Sequence, residues 1–542
     1  MSEAVTLEEA ISIAMEHQKN GNRALASRIC KQILDLAPNT PEALHLLGII
    51  QLESTNYTEA IDLLNAAAEA DPDSAAISNN LGNAYMGQEN WVQAKLAYQQ
   101  AIVQQPDYSP AYNNLGLLFK KVNQLQKATS CFQKAIACSP SYEKSYSNLG
   151  GILLDLERYE ESVEFSEKAL AINPKFAIAK LNLALASLAL KQTEKAIKYL
   201  DELYEDNPND GNILNAYGQA YESLKQKTRA MEYFREASLH DASQGIANLS
   251  LGHLHRQAGE LKPAIDCYAQ AAHIPSTKSE SSGWLVRTLL QNDQPEEALK
   301  YCQTLGPGVE EYPHGMKLKA FRCIALSELG QTKELREIQN LHREILIKDS
   351  ANHGSLNHSL AEFLSTHPSL KTSQAHHATR LAFHSSHLHN SPEPCIKEIF
   401  KFITAQVEQY LAHKRECFKP DKTESIPSSY LINLWAIVMK GEGHQIPHIH
   451  PSGYLSGVYY VQAPPLLEAE TDAPPAHLVF GQGTEDLYHH SSPETLTLAP
   501  KPGRLVIFPS HFWHHTVPFN YPENRISLAF DVVPQVQPYP EL

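Results

Sequence analysis

Glycines return every 34 residues through the first half of the chain, and no other feature narrows the possible folds so far. Gly48, Gly82, Gly116 and Gly150 hold one register, Gly218 and Gly252 continue it, and Ala184 fills the gap. Twelve positions after each stands a small residue: Ala60, Ala94, Ala128, Ser162, Ala196, Ala230 and Ala264. Seven further on come Ala67, Ala101, Ala135, Ala169, Leu203, Ala237 and Ala271. Pro72, Pro106, Pro140, Pro174 and Pro208 close five units at one offset, and Pro38 closes an earlier one. Small residues at these places let two antiparallel helices approach closely, while Tyr85 and Tyr98 fill the groove between neighbours. The proline ends the second helix, because it has no N–H and clashes with the preceding turn. A fixed period of helical hairpins predicts a solenoid in which each unit contacts only its neighbours.

The stretch NLGNAYMGQENWVQAKLAYQQAIVQQP closely resembles the tetratricopeptide repeat. The resemblance covers about nine units, starting at 7, 41, 75, 109, 143, 177, 211, 245 and 279; in the last, Val286 stands where glycine would. It implies a right-handed superhelix whose concave face binds peptides or protein segments. The plainer role for such an array is a spacer or dimerisation arm. Asn80, Asn114, Asn148 and Asn182 recur two residues before a signature position, with Asn79 and Asn113 beside two of them. Either they form a polar groove able to bond an extended backbone, or asparagine simply belongs to this repeat's local pattern.

With 542 residues the chain is too long for one core, since single cores rarely grow past about 250–300 residues. A net charge of −16 argues against a general nucleic-acid binder, which needs a basic surface. The first residues, MSEAVTLEEAISIAM, have no basic stretch before an apolar run and do not read as a secretory signal. No apolar run is long enough to span a membrane. The cysteines at 30, 131, 138, 267, 302, 323, 395 and 417 form no CxxC and no disulfide framework, and each reads as a small buried apolar residue. A reducing, cytoplasmic compartment is expected.

Residues 311–428 lose the period and read as a helical connector. Lys317–Gly330, Glu334–Lys348 and Pro394–His413 carry apolar residues at helical spacing. The last of these is expected to pack on the outside of the following sheet. His376, His377, His384, His387 and His389 are dense there but come without HExxH or a carboxylate pattern, and read as loop histidines. FKPDKTESIPS, from 418 to 428, reads as a polar linker.

From Tyr430 the pattern changes to short strands, LINLWAIVMK, YLSGVYYVQA, AHLVFGQG, TLTLAP, GRLVIFPS and RISLAFDVV, separated by turns. Such spacing suggests a jelly roll or related double-stranded β-helix. Within it, His448 and His450 lie one residue apart, so on an extended strand both imidazoles point the same way. FPSHFWHHTVPF offers His514 as a remote partner, and Arg525 follows eleven residues later. Gly503 is expected to turn the chain before the strand that carries Phe508.

HIHPSGYLSGVYYV, GRLVIFPSHFWHHTVPF and RISLAFD resemble a bacterial group of 2-oxoglutarate- and iron-dependent oxygenases, over roughly Asn433–Val533. The resemblance implies iron(II) held by His448, His450 and His514, with open positions for cosubstrate and O2. Arg525 would hold the far carboxylate of 2-oxoglutarate bidentately, Ser527 on the same strand face would add a bond, and Asn433 is a further candidate donor. The usual superfamily motif is His-x-Asp/Glu. Here His450 takes the carboxylate's place, leaving either three histidine ligands or two completed by water. His515 is the alternative to His514, since adjacent strand residues face opposite ways; the family pattern favours His514. His511 reads as a surface residue or outer donor, and His444 as part of the loop leading into the site. Trp435, Tyr459, Tyr460 and Trp513 read as core or pocket wall.

The expected whole is an α + β multidomain chain: a tetratricopeptide solenoid at 1–310, a helical connector at 311–428 and an oxygenase double-stranded β-helix at 429–542. Its implied activity is hydroxylation of a peptide or protein side chain presented by the array, coupled to decarboxylation of 2-oxoglutarate to succinate and CO2. No nucleic acid or membrane is expected as partner, and the oligomeric state is left open. The competing readings are a tetratricopeptide scaffold with an inactive β-domain, and a three-histidine dioxygenase that does not use 2-oxoglutarate.

Overall fold

A computed structural model describes residues 5–535 apart from 242, 306–314, 351–353, 373–377, 418–425 and 465–473. His376, His377, the Cys417 side chain and most of the expected linker thus lie outside the described residues. The chain forms two compact units, one ending at Tyr233 and one starting at Phe234.

The first unit is a run of helical hairpins at the predicted period, among them Ala75–Gly87 with Trp91–Gln104 and Ser109–Lys121 with Leu125–Cys138. The signature glycines are required by packing. A Cβ on Gly82 would stand 2.5 Å from the Tyr98 ring, one on Gly116 2.6 Å from Phe132, and one on Gly48 2.7 Å from Leu64. In each case the side chain sixteen positions later covers the glycine. The turn inside each hairpin needs a left-handed residue, and the same offset supplies it at Gly21, Thr55, Glu89, Asn123, Glu157, Lys191 and Lys225. The recurrent asparagines bond one repeat to the one before. Asn80 meets His45 at 2.8 Å, Asn114 donates to Asn79 at 3.0 Å, Asn148 to Asn113 at 2.9 Å and Asn182 to the Ser147 carbonyl at 2.8 Å.

The second unit continues the hairpins with Gln244–Gln257 and Leu261–Ala272, then Lys278–Gln291 and Pro295–Thr304, and adds the helix Gly315–Glu328. Its strands are β1 (Leu346–Asp349), β2 (Lys371–Thr372), β3 (Thr379–His384), β4 (Tyr430–His448), β5 (Leu455–Gln462), β6 (Leu478–Phe480), β7 (Leu496–Leu498), β8 (Arg504–Pro509), β9 (His514–Thr516) and β10 (Arg525–Pro534). The expectation of a helix over Glu334–Lys348 is corrected. Helices end at Ile338 and Glu344, and the apolar Leu346 and Ile347 pair with β8 as edge strand β1. The connector also contributes β2 and β3, with β3 on β4.

All described pairings are antiparallel, in the order β8-β5-β10-β4 and then β4-β9-β6-β7. β4 belongs to both rows: residues 430–439 pair with β10, and Gln445 and His448 pair with β9. A double-stranded β-helix results. Strand alternation separates its two faces. Ile432, Leu434, Ala436 and Val438 of β4 and Leu528, Phe530 and Val532 of β10 share a core with Leu356, Leu360 and Leu364 and with Ile396, Ile399, Ile403, Val407 and Leu411. The last five form the buried stripe of the helix Pro394–Cys417, which therefore covers the outside of the sheet. The alternate residues face inward.

Among the described residues no helix is long and apolar enough to cross a membrane.

Candidate metal centre and its cavity

The inward residues of β4 and β10, including Asn433, Trp435, Arg525, Ser527 and Asp531, line a cavity of about 800 Å3. His448, His450 and His514 line the same cavity. β4 leaves its partner β10 near Gly441, whose φ of 54° lets the chain swing over to the second row. That swing sets His448 directly opposite His514 on β9. The expectation that His448 and His450 share a strand face needs correction. β4 ends at His448, and His450 is held beyond it by its N–H, which donates to the Ser510 carbonyl at 3.0 Å.

The three rings converge nonetheless, with centroids 4.2 Å apart for His448 and His514, 5.2 Å for His448 and His450, and 5.1 Å for His450 and His514. Their ligand atoms all lie within 4.8 Å of one another. Each Nδ1 is occupied: His448 donates to the Ile446 carbonyl at 2.8 Å, His514 to the Phe512 carbonyl at 3.0 Å, and His450 to Asp531 Oδ1 at 2.7 Å. Carbonyl and carboxylate oxygens only accept, so Nδ1 must carry the proton in all three. That leaves three bare Nε2 lone pairs, the arrangement a metal ion requires. Burial and the neighbouring His450 push His448 down to about 3. Burial and both other rings hold His514 well below the usual histidine value. Burial alone would lower His450 too, yet the Asp531 carboxylate outweighs it and raises the ring. His515, the alternative ligand, is not part of the group.

Arg525 ends the inward row of β10 and is 2% exposed. One Nη donates to the Ala476 carbonyl at 3.1 Å and the other to Tyr460 Oη at 3.4 Å, while Nε has no partner among the described residues. Burial pushes the guanidinium below its ordinary value. A buried cation with no carboxylate beside it is costly, and an anion entering the cavity would relieve that cost. Ser527 is buried one step along the same face. Asn433 stands opposite Asp531, whereas Arg525 stands opposite Met439. Along the strand pair the backbones of the two thus stand six residues apart, at about 3.3 Å per residue.

Other expectations fared unevenly. Tyr460 is more than wall, since its hydroxyl meets Arg525, while Tyr459 faces outward and donates to Asn357 at 2.7 Å. Trp435 lines the cavity and stacks against His450, centroids 6.1 Å apart. Trp513 instead joins a core with Phe321 and other repeat-helix residues. His511 is buried rather than superficial, its Nε2 on the Ile338 carbonyl at 3.2 Å. His444 lies within β4 opposite Arg380 rather than in a loop. Of the connector histidines, His384 and His387 line the cavity mouth. Gly503 turns the chain as expected, with φ 82°. The expected site residues did not include Asp531, which lies six residues after Arg525 and so on the same strand face.

Residues 433–531 match the family model described as "Putative 2OG-Fe(II) oxygenase". Tetratricopeptide repeat models match residues 11–75, 51–117, 109–142, 153–220 and 211–238. No curated protein matches the chain. Solved structures resemble it over part of its length. A tetratricopeptide repeat protein from Parabacteroides merdae is 18% identical, covering 46% of this chain and 98% of that one, with TM-score 0.40. A thermophilic protein of the same repeat class from Thermus thermophilus is 22% identical, covering 34% and 100%, with TM-score 0.31. MamA is 28% identical, covering 30% and 96%, with TM-score 0.27. The chain therefore joins tetratricopeptide repeats in its N-terminal part to a domain of the 2OG-Fe(II) oxygenase family over residues 433–531.

Proposed function

We propose that the protein is a 2-oxoglutarate- and Fe(II)-dependent hydroxylase acting on a peptide or protein side chain recruited by its repeat array. The observation that carries the reading is the pairing of two incomplete sites in one cavity: three converging Nε2 atoms, and a buried arginine with no carboxylate partner among the described residues. Iron(II) accepts imidazole donors with open positions left for cosubstrate and O2, so His448, His450 and His514 would hold it. When bound, the metal with 2-oxoglutarate and O2 supplies the oxidising chemistry. The chain's own residues do the rest. Arg525 and Ser527 bind the far carboxylate, with Tyr460 bracing the guanidinium by its hydroxyl. Trp435 walls the histidine end, and Asn433, beside Asp531, serves that end rather than the arginine end. A three-histidine dioxygenase working without 2-oxoglutarate would leave the buried Arg525 without a purpose. Tetratricopeptide repeats generally bind proteins or peptides, which is why the substrate is placed in that class. A cytoplasmic setting fits scattered cysteines that form no disulfide among the described residues.

The deciding experiment is anaerobic addition of Fe(II) and 2-oxoglutarate to the full chain. A weak visible charge-transfer band that needs both components is expected. If iron binds but 2-oxoglutarate adds no band and changes no affinity, the reading fails in favour of the dioxygenase without that cosubstrate.

A further inference from the structure

The three histidines all donate from Nδ1, but not to the same kind of acceptor. His448 and His514 meet backbone carbonyls; His450 meets a carboxylate. Asp531 Oδ1 also accepts from Ser456 Oγ at 2.7 Å, and Ser456 Oγ meets Ser510 Oγ at 2.7 Å. The Ser510 carbonyl in turn takes the His450 N–H at 3.0 Å. Ser456 and Ser510 are fully buried, so the serine end of this loop of bonds is closed to water. It ties the ring and the backbone of His450 to β5, to β10 and to the end of β8. His450 needs such a tether more than its partners do, because it lies past the end of β4 and has no strand to hold it. Asp531 itself is outside the group of mutually close ligand atoms.

A carboxylate on the Nδ1 proton of a ligating histidine fixes the tautomer, aims the ring and makes Nε2 a stronger donor. Iron(II) oxygenase sites built from two histidines and one carboxylate carry their single anion in the ligand set. Here three neutral rings would carry none, and the carboxylate of Asp531 stands an imidazole's width away. We infer that Asp531 is a positioning residue for the metal: it locks His450 for ligation and supplies, through the ring, the negative charge that a ligating carboxylate would otherwise provide. The inference rests on the three-histidine reading given under Proposed function.

Co(II) serves as the probe, bound to the full chain without 2-oxoglutarate and measured by chelator competition and by its visible spectrum. Asp531→Asn keeps the size and an acceptor oxygen but removes the charge. Its Co(II) affinity is expected to fall about 10–100-fold, with a changed spectrum, and Asp531→Glu is expected to recover part of the loss. His450→Ala is the reference. If Asp531→Asn binds Co(II) like the wild type while His450→Ala does not, the inference is overturned and the metal reading stands. If both bind like the wild type, the three-histidine reading has failed as well. A loss that glutamate leaves unrepaired, and that follows a lower melting temperature of the metal-free protein, assigns Asp531 a merely structural role and also overturns it. Should Asp531→Asn not fold, 15N shifts of the histidine rings in the metal-free wild type decide the matter. A proton on Nδ1 of His450 supports the inference, and one on Nε2 sinks it.

Discussion

Arg525 and Asp531 sit on one face of one strand and do opposite things. Among the described residues Arg525 has a charge and no carboxylate partner; Asp531 has its counterpart in His450. Removing each should therefore damage a different equilibrium. Arg525→Ala is expected to raise the half-saturation concentration for 2-oxoglutarate at least tenfold, since losing one partner of a buried charge pair costs about 2–5 kcal/mol. Co(II) affinity should stay as in the wild type. Titrating 2-oxoglutarate against succinate release checks the first half, and an unchanged midpoint would remove Arg525 from the site. The sequence alone exposed Arg525 because a motif pointed to it. It hid Asp531 because the residue's role is set by the ring it touches, 81 positions away. It also misplaced the reason for His450, whose direction comes from Ser510 across the turn rather than from strand alternation.

The hairpin is the unit in which the array stores its strain. Glu89, Asn123, Glu157 and Lys191 all adopt φ between 57° and 60°. Side chains rarely take that conformation, because Cβ crowds the next carbonyl at a cost of about 1–2 kcal/mol. Glycine relieves the crowding but adds about 0.5–1 kcal/mol of freedom to the unfolded chain. The balance predicts that Glu157→Gly, at an exposed turn, raises stability by up to about 1 kcal/mol. Thermal unfolding of the variant beside the wild type measures it, and a lower melting temperature would show that the glutamate makes a compensating contact. Helical hairpins were plain in the sequence because all their defining contacts are local and repeat. β1, β2 and β3 were not. They are two to six residues long, and what makes Leu346 and Ile347 a strand is the presence of Val506 and Ile507 far along the chain.

At the scale of the molecule, the β-domain does not stand by itself. Helices Gly354–Ser365 and Pro394–Cys417 cover one side of its sheet. The helix Gly315–Glu328 grips another part: Glu328 accepts from the N–H groups of His489, His490 and Ser491 at 2.8, 3.0 and 3.1 Å. Arg287 reaches Asp486, and Trp513, next to His514, packs with Phe321. A chain starting at residue 234 is thus expected to fold and keep Co(II) binding, whereas one starting at 429 is expected to aggregate. A chain ending at 233 should give a helical circular-dichroism spectrum unaided. Expressing all three and measuring solubility, spectrum and metal affinity tests the division; a soluble, metal-binding product from 429 would refute it. The domain's position in the sequence was legible from its strands, but its dependence on the repeat helices was not, because those contacts join residues some 200 positions apart. β10 adds a consequence in time. It lies between β4 and β5, pairing with both, yet is the latest strand among the described residues. Repeats with local contacts fold quickly, and sheets that wait on distant partners fold slowly. During synthesis the array is complete while β4 and β5 still present open edges, which invite misassembly. A ribosome that stops short of Arg525 releases a chain with every repeat in place and a centre missing its arginine, its serine and its aspartate.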